Sequence, residues 1–359
     1  MSGRVGDISP EEKTMTIREA IAKVVAGTDL GEYEMVAVMN EIMEGMATDA
    51  QIGSFITALR MKGESVDEIV GAVRVMRDKA TFVDTGVDTA GGQVLMDIVG
   101  TGGDGAGTFN VSTTSAFVVA AAGVPVAKHG NRAVSSHCGS ADVLEALGVN
   151  LGMAPALVAE CVRSVGIGFL FAPMLHGAMK YAIGPRREIG IRSIFNVLGP
   201  MTNPAGANVQ LTGVFSRQLT TTLAEVLVRL GIKRALVVWG EGNLDELTIT
   251  GTSHIADGHD GQVTSYTLEP EDVGLQRATL ADIRGGATPA ESAEQVRQVL
   301  AGQPGPRLDM VLLNSGAALH AAGLCADIGS GVHLAGRIIA SGAALEKLDS
   351  LVQFCRSKG

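Results

Sequence analysis

At about residue 94 the apolar pattern of this chain changes period, and that change restricts the folds open to it. The first ~80 residues carry apolar positions three to four apart, the spacing of one helical face. Ile17, Ala20, Ile21 and Val24 form one such face, and Met35, Val38, Met39 and Ile42 a second. Ile52, Phe55, Ile56 and Leu59 form a third, with Ile69, Val70, Val73 and Met76 a fourth. Thr16-x-x-Glu19, Thr48-x-x-Gln51 and Ser65-x-x-Glu68 are capping boxes, in which side chains satisfy the amides that a helix start leaves open. Gly27, Gly45 and Gly63 stand where the helices should stop. A bundle this small has trouble burying every apolar face, so its stripes serve either core packing or a subunit interface.

Residues 83–93 show no period and read as a linker. Beyond them, short apolar runs at 94–99, 124–127, 167–171, 211–215 and 235–239 alternate with helical stretches at 115–122, 141–147, 155–165 and 219–230. Such alternation predicts a mostly parallel sheet covered by helices on both faces. The fold class is therefore α/β: a small all-helical N-terminal domain, then a larger domain with a mostly parallel central sheet flanked by helices. From about Thr288 the pattern is helical again and packs on the sheet. No apolar run reaches the ~18 residues of a membrane span. The N-terminal MSGRVGDISPEEK lacks the charged-then-apolar order of a secretion signal, which predicts a cytoplasmic protein. Cys138, Cys161, Cys325 and Cys355 have no CxxC spacing, so reduced thiols are expected and a zinc site is not.

Ligands of such sheets gather at the carboxyl ends of the strands. Three loops follow predicted strands there: the glycine turn after Val99, the 128–139 loop and the 240–245 loop. The first two lie in a stretch without a single acidic residue, from Gly105 to Ala141, in a chain of net charge −10. Lys128, Arg132 and two glycine-rich turns inside that gap suit an anion, because backbone amides before a helix surround phosphate oxygens without any side chain. Gly100-Thr-Gly102-Gly103-Asp104-Gly105 satisfies G-x-G-x-x-G, but the acid that a dinucleotide site wants ~20 residues later is missing. No Gly-Lys-Ser/Thr follows, so a Walker loop fails too. A tight turn without ligand is the plain alternative. Thr108, Asn110, Ser112 and Thr113 at the next helix start favour an oxyanion cradle over it.

In KHGNRAVSSHCGSAD, residues 128–142, Ser140 reads as an N-cap and His129 as a packed side chain when each is taken alone. Asp245-Glu246 is a solvated pair if it stands alone. Beside a phosphate cradle it becomes a candidate for Mg²⁺, a hard cation that takes one or two carboxylates and fills other positions with substrate phosphate. Arg186-Arg187 is either surface charge or a bidentate holder of a substrate carboxylate. Neither a Ser-His-Asp order, a metal-ligand His pair nor a reactive Cys context stands out, which points to chemistry by positioning and charge. A pI near 5.2 and 4% aromatics argue against nucleic-acid binding, which needs a basic face or stacking platforms.

At these residues the sequence resembles the anthranilate phosphoribosyltransferase family. DIVGTGGDGAGTFNVST, KHGNRAVSSHCGSADVLEALGV, FLFAPMLHGAMK, RREIGIRSIFNVLGPMTNP and GNLDELTITGTSHIAD look like its blocks, in its order. MATDAQIGSFITALRMKGESVDEI matches as well, so the likeness runs from about Thr16 to Leu345. It implies a helical domain at 1–88, completed by about 186–200, and an α/β domain at 89–185 and 201–359. The active site would lie in the cleft between them, in a homodimer formed through the helical domain. It also implies transfer of a phosphoribosyl group from 5-phosphoribosyl 1-pyrophosphate (PRPP) to anthranilate, with Mg²⁺ as cofactor. Carried over by residue, Gly100, Gly102, Gly103 and Asp104 would line the PRPP site. Thr108, Asn110, Ser112, Thr113 and Lys128 would hold its phosphates and ribose. Ser112, Asp245 and Glu246 would bind the metal. Gly100, His129, Asn131 and Arg186 would contact anthranilate, Arg186 through the carboxylate. The chain departs from the family pattern at His137-Cys138, Gly177 and Trp239. A pyrimidine nucleoside phosphorylase and a non-catalytic nucleic-acid-binding relative of the same fold are the competing readings.

Overall fold

The computed structural model describes residues 15–133 and 138–358. The chain divides into two compact units. One is drawn from residues up to Asp78 together with Ala178–Ile194, and the other from Lys79–Gly177 and Phe195–Gly359.

The first unit contains α1 (Ile17–Val25), α2 (Glu32–Met43), α3 (Asp49–Lys62) and α4 (Val66–Asp78). The capping boxes at Thr16/Glu19 and Thr48/Gln51 are formed at the starts of α1 and α3. Ser65 and Glu68 reciprocate before α4, where the Ser65 amide donates to Glu68 Oε2 at 2.8 Å and the Glu68 amide to Ser65 Oγ at 3.3 Å. Glu68 is fully buried, and it also accepts from the Leu30 amide at 3.0 Å and from Lys62 Nζ at 3.0 Å. That saturation is what makes a carboxylate tolerable in the interior of so small a bundle. Gly45, just past α2, has φ +76°, and a Cβ there would lie 2.6 Å from the Tyr181 ring. Tyr181 stands on the helix Lys180–Ile189, which packs on α2 and α3.

The domain bounds expected from sequence shift accordingly. The helical unit ends at Asp78, and its returning segment is Ala178–Ile194 rather than 186–200. Two contacts explain the difference. Val83 is buried with its amide donating to Pro204 O at 3.0 Å, which ties the linker into the α/β unit. The helix Phe195–Met201 buries Phe195, Val197, Leu198 and Met201, and its Pro200 carbonyl accepts from Gln210 Nε2 at 3.0 Å.

The second unit is built on a seven-stranded sheet in the order β3-β2-β1-β4-β5-β6-β7. The strands are β1 (Met96–Gly100), β2 (Val126–Gly130), β3 (Ile167–Phe171), β4 (Val209–Gly213), β5 (Arg234–Gly240), β6 (Ser253–His259) and β7 (Gln262–Leu268). The first five in that order pair in parallel, while β5–β6 and β6–β7 are antiparallel. The parallel strands are buried on both faces, and β1, β2 and β4 carry buried polar residues, Asp97, Lys128, His129, Gln210 and Thr212, among their apolar ones. Helix α5 (Val111–Ala121) is buried almost throughout, with Phe117 among the largest enclosed side chains. The antiparallel hairpin was not foreseen from the apolar runs. Its signal is Asp260-Gly261, with φ of 50° and 78°, the pair that a two-residue hairpin turn demands. β7 forms the sheet edge and is largely exposed, so it lacks the apolar run that marks a buried strand. Among the described residues no single helix is long and apolar enough to cross a membrane.

Candidate active site

The chain order reverses between β1 and β4, and ligands of open α/β sheets bind outside the strand ends at such a switch. Both strands end there in glycine, and Gly100 is paired in register with Gly213. The segment after β5 folds back through Leu244, whose amide donates to Gly240 O at 3.0 Å, and lays Asp245 over those two ends. A Cβ at Gly100 would collide with the Asp245 carboxylate, and one at Gly213 with the Asp245 backbone carbonyl. The glycines are thus needed for close approach. From sequence Gly213 was only the middle of an apolar run, and no signal distinguished it.

Around this switch the predicted residues converge. The Gly102 amide donates to Asp245 Oδ2 at 2.6 Å, and the Ser112 amide, in the first turn of α5, donates to Glu246 Oε1 at 3.2 Å. Lys128, from β2, is buried and donates to Ile98 O at 2.6 Å and to Ser112 Oγ at 3.3 Å. An ammonium has three N–H donors, so one remains for an incoming anion. Asp104 is half-buried, with Oδ1 accepting from the Ala106 amide at 3.1 Å and Oδ2 enclosed without a partner. Thr113 Oγ1 is likewise enclosed without a partner. Asn110 Nδ2 donates to Cys138 O at 3.2 Å, and Thr108 forms an isolated antiparallel bridge with Arg284. Gly103 lies in the turn with φ 72°.

The electrostatics are those of buried carboxylates that outnumber the one buried cation, Lys128, set among them. Burial, with the Asp104 charge adding to it, pushes the Asp245 carboxyl up to about 7. Burial and then the neighbouring Asp245 raise Glu246 well above the usual carboxylate range. Burial lowers Lys128, against the pull of Asp97, Glu246 and Asp245. Among the described residues no three His, Cys, Asp or Glu side chains are grouped as metal ligands. The site therefore offers a hard divalent cation the crowded Asp245-Glu246 pair, the one or two carboxylates such an ion takes when substrate oxygens fill its other positions.

Next to this cradle lies a second buried polar cluster. Asp97, from the middle of β1, accepts from the His129 amide at 3.1 Å and from Asn203 Nδ2 at 2.7 Å. Burial raises it to about 6 despite Lys128 nearby. The His129 ring lies between Gly199 O, 3.2 Å from Nδ1, and His176 Nε2, 3.2 Å from its own Nε2. Burial lowers His129 to about 3, with His176 adding, and lowers His176 to about 4, so both rings are neutral. Sequence reasoning passed over His176 because a lone histidine after an apolar run carries no pattern.

The remaining expected residues stand as follows. Asn131 Oδ1 accepts from the Arg132 amide at 2.8 Å, at the exposed start of the 128–139 loop. Arg132, one of two cations noted in the acid-free stretch, is turned outward to Asp142 at 3.0 Å and Glu145 at 2.8 Å. Ser140 is not an N-cap. Gly139 takes that position, because Asp142 reaches back to its amide at 2.9 Å. Arg186 belongs to the helical unit, on Lys180–Ile189, half-buried and lowered by burial. Trp239 Nε1 donates to Asn243 Oδ1 at 3.3 Å, and His137 lies outside the described residues.

Comparisons with known proteins agree with this architecture. The family described as "Glycosyl transferase family, a/b domain" matches residues 92–345, and "Glycosyl transferase family, helical bundle domain" matches 18–80. An anthranilate phosphoribosyltransferase of Desulfotalea psychrophila is 71% identical over 96% of this chain and 98% of its own. Among solved structures, anthranilate phosphoribosyltransferase from Thermus thermophilus is 44% identical with a TM-score of 0.88, covering 94% of this chain and 99% of its own. The Saccharomyces cerevisiae protein of that name, solved in complex with PRPP and Mg, is 27% identical with a TM-score of 0.83, over 95% and 98% of the two chains.

Proposed function

Because this chain belongs to the anthranilate phosphoribosyltransferase family, we propose that the cradle at the β1–β4 switch is where its reaction runs. The enzyme transfers the phosphoribosyl group of PRPP to the amine of anthranilate, giving N-(5-phosphoribosyl)anthranilate and pyrophosphate in tryptophan biosynthesis. The observation that carries the assignment of site is the buried Asp245-Glu246 pair, held by the Gly102 and Ser112 amides with Lys128 alongside.

Gly100, Gly102, Gly103 and Asp104 line the donor, and Thr108, Asn110, Ser112, Thr113 and Lys128 hold its phosphates and ribose. Asp245, Glu246 and Ser112 would hold Mg²⁺, which would supply positive charge to offset that of the pyrophosphate leaving group. In the reaction the bond from C1 of the ribose to the pyrophosphate oxygen breaks, and a bond from C1 to the anthranilate nitrogen forms. The nitrogen then sheds one proton. The lysine ammonium and the backbone amides, already aimed before the bond lengthens, stabilise the charge that develops on the leaving oxygens. An aromatic amine is neutral at pH 7 and attacks without a strong base, so the absence of a catalytic triad costs nothing. His129, neutral by burial, and Asn131 line the acceptor with Gly100, and Arg186 grips its carboxylate.

The helical unit exposes Val25, Tyr33, Met46 and Met61 at 71, 79, 62 and 84%, which supports a homodimer through that unit. Four free thiols among the described residues suit the cytoplasm. The test is the loss of anthranilate fluorescence on adding PRPP and Mg²⁺ together. Consumption that proceeds unchanged without PRPP, or none with both present, overturns the reading.

A further inference from the structure

Ile283–Gly286 is a strap that the cradle as described does not use. Ile283 is fully buried, its carbonyl accepts from the Phe109 amide at 3.1 Å, and the Gly285 amide donates to Gly107 O at 2.9 Å. Those two bonds flank Thr108 and Arg284 without joining them, so the two form the non-hydrogen-bonded pair of an antiparallel bridge. In such a pair the side chains lie on one face and approach more closely than in the hydrogen-bonded kind. Arg284 is therefore set beside Thr108, in the glycine-rich turn.

The strap is built for this approach. A Cβ at Gly285 would sit 2.8 Å from Thr108 O, and one at Gly286 would sit 2.6 Å from the Ser292 amide nitrogen. The Arg284 carbonyl is fastened from the other side by Arg307, with Nη2 at 3.0 Å and Nε at 3.3 Å, and by Gln295 Nε2 at 3.5 Å. The Arg284 side chain, by contrast, is exposed, and no carboxylate pairs with it among the described residues. Arg132 and Arg234 are ion-paired with carboxylates, whereas Arg284, on a strap fastened by backbone hydrogen bonds, makes no ion pair among the described residues.

We propose that Arg284 is a further donor-binding residue, its guanidinium contacting a phosphoryl oxygen of PRPP at the rim of the turn beside Thr108. The proposal rests on the cradle being the PRPP site. A planar guanidinium matches two phosphoryl oxygens at once, which a lysine cannot do.

The experiment is calorimetric titration of PRPP with Mg²⁺ into wild type, Arg284→Ala, Arg284→Lys and Arg307→Ala. Arg284→Ala is expected to weaken PRPP about tenfold or more, the scale of a lost charge-assisted hydrogen bond. It should leave the melting temperature and the anthranilate KM unchanged, with Arg284→Lys intermediate. The wild-type advantage should shrink as salt rises from 50 to 500 mM. Parallel titrations with inorganic pyrophosphate and with ribose 5-phosphate identify the end of the donor that is held, as the one that Arg284→Ala weakens. PRPP affinity in Arg284→Ala equal to wild type overturns the inference while leaving the cradle intact. So does a loss reproduced in full by Arg307→Ala, which marks strap position instead of charge. A wild-type protein that fails to bind PRPP at all sinks the cradle assignment itself.

Discussion

Gly213 faces the backbone of Asp245 so closely that a Cβ at this position would overlap the Asp245 carbonyl. The end of β4 and the carboxylate-bearing segment thus share one volume, and that volume admits no methyl group. Gly213→Ala must push Asp245 away from the Gly102 amide or bend β4. Overpacking of this kind costs about 1–3 kcal/mol, and the displaced carboxylate should lower kcat at least about tenfold. Gly177→Ala is the control, since its Cβ meets nothing within 4 Å. Thermal melting and steady-state rates of the two variants check this. Equal activity in both would mean the approach at Gly213 is dispensable.

The raised Asp245 and Glu246 carboxyls give metal dependence a direction with pH. A carboxyl that titrates near 7 must lose its proton before it binds a cation, so protons and Mg²⁺ compete for it. The Mg²⁺ concentration for half-maximal activity should rise as pH falls from 7.5 to 6, by up to about tenfold per unit once Asp245 is mostly protonated. Asp245→Asn with Glu246→Gln should lose activity severely and stay folded, because neutral amides relieve like-charge crowding. Mg²⁺ should no longer raise the melting temperature of that variant. Titrations of rate and of melting against Mg²⁺ at each pH test both statements.

Legibility from sequence followed local signal. Three capping boxes fixed the starts of α1, α3 and α4, because a cap is read from residues three apart. The strand at 167–171 was placed to the residue, since Gly166 and an apolar run bound it. The cradle was visible for the same reason: glycines, hydroxyls and a lysine cluster within one βαβ stretch. What stayed hidden depends on packing between distant segments. Gly213 under Asp245, His176 against His129 and Arg284 beside Thr108 are joined by the fold alone. The β6–β7 hairpin was missed because β7 is an exposed edge, where composition is polar and only the Asp260-Gly261 turn speaks. The returning segment Ala178–Ile194 could not be placed by any periodicity, as helices in both units share the same period.

The buried histidine pair gives stability its own pH dependence. His129 and His176 titrate at about 3 and about 4 in the folded chain, against 6.5 when unfolded. Below about 6.5 the unfolded chain takes up protons that the folded rings refuse, so the unfolded state binds more. Their contribution is therefore full above 6.5 and is lost as pH falls towards about 4, at roughly 1 kcal/mol per pH unit for each ring. Urea midpoints at pH 7, 6 and 5 should fall more steeply for wild type than for a His129→Gln, His176→Gln double variant. Parallel slopes would show that the rings accept protons in place.

Arg186 and Arg187 are adjacent on the helix Lys180–Ile189, yet only Arg186 is half-buried while Arg187 is exposed. A guanidinium is drawn from water only where other contacts repay its desolvation, and burial already lowers its pKa. Such a group suits a planar carboxylate, which it holds through two parallel hydrogen bonds. Arg186→Ala should therefore raise the anthranilate KM about 10- to 100-fold, the scale of a lost charged hydrogen bond of about 1.5–3 kcal/mol. The PRPP KM should move less than about threefold, because the cradle proposed for its anionic groups is built from the α/β unit. Arg186→Lys should recover only part of the loss, since an ammonium cannot form the paired contact. Arg187→Ala should behave as wild type. Steady-state kinetics with each substrate varied in turn decide the matter, and an equal rise in both KM values would remove Arg186 from the acceptor site.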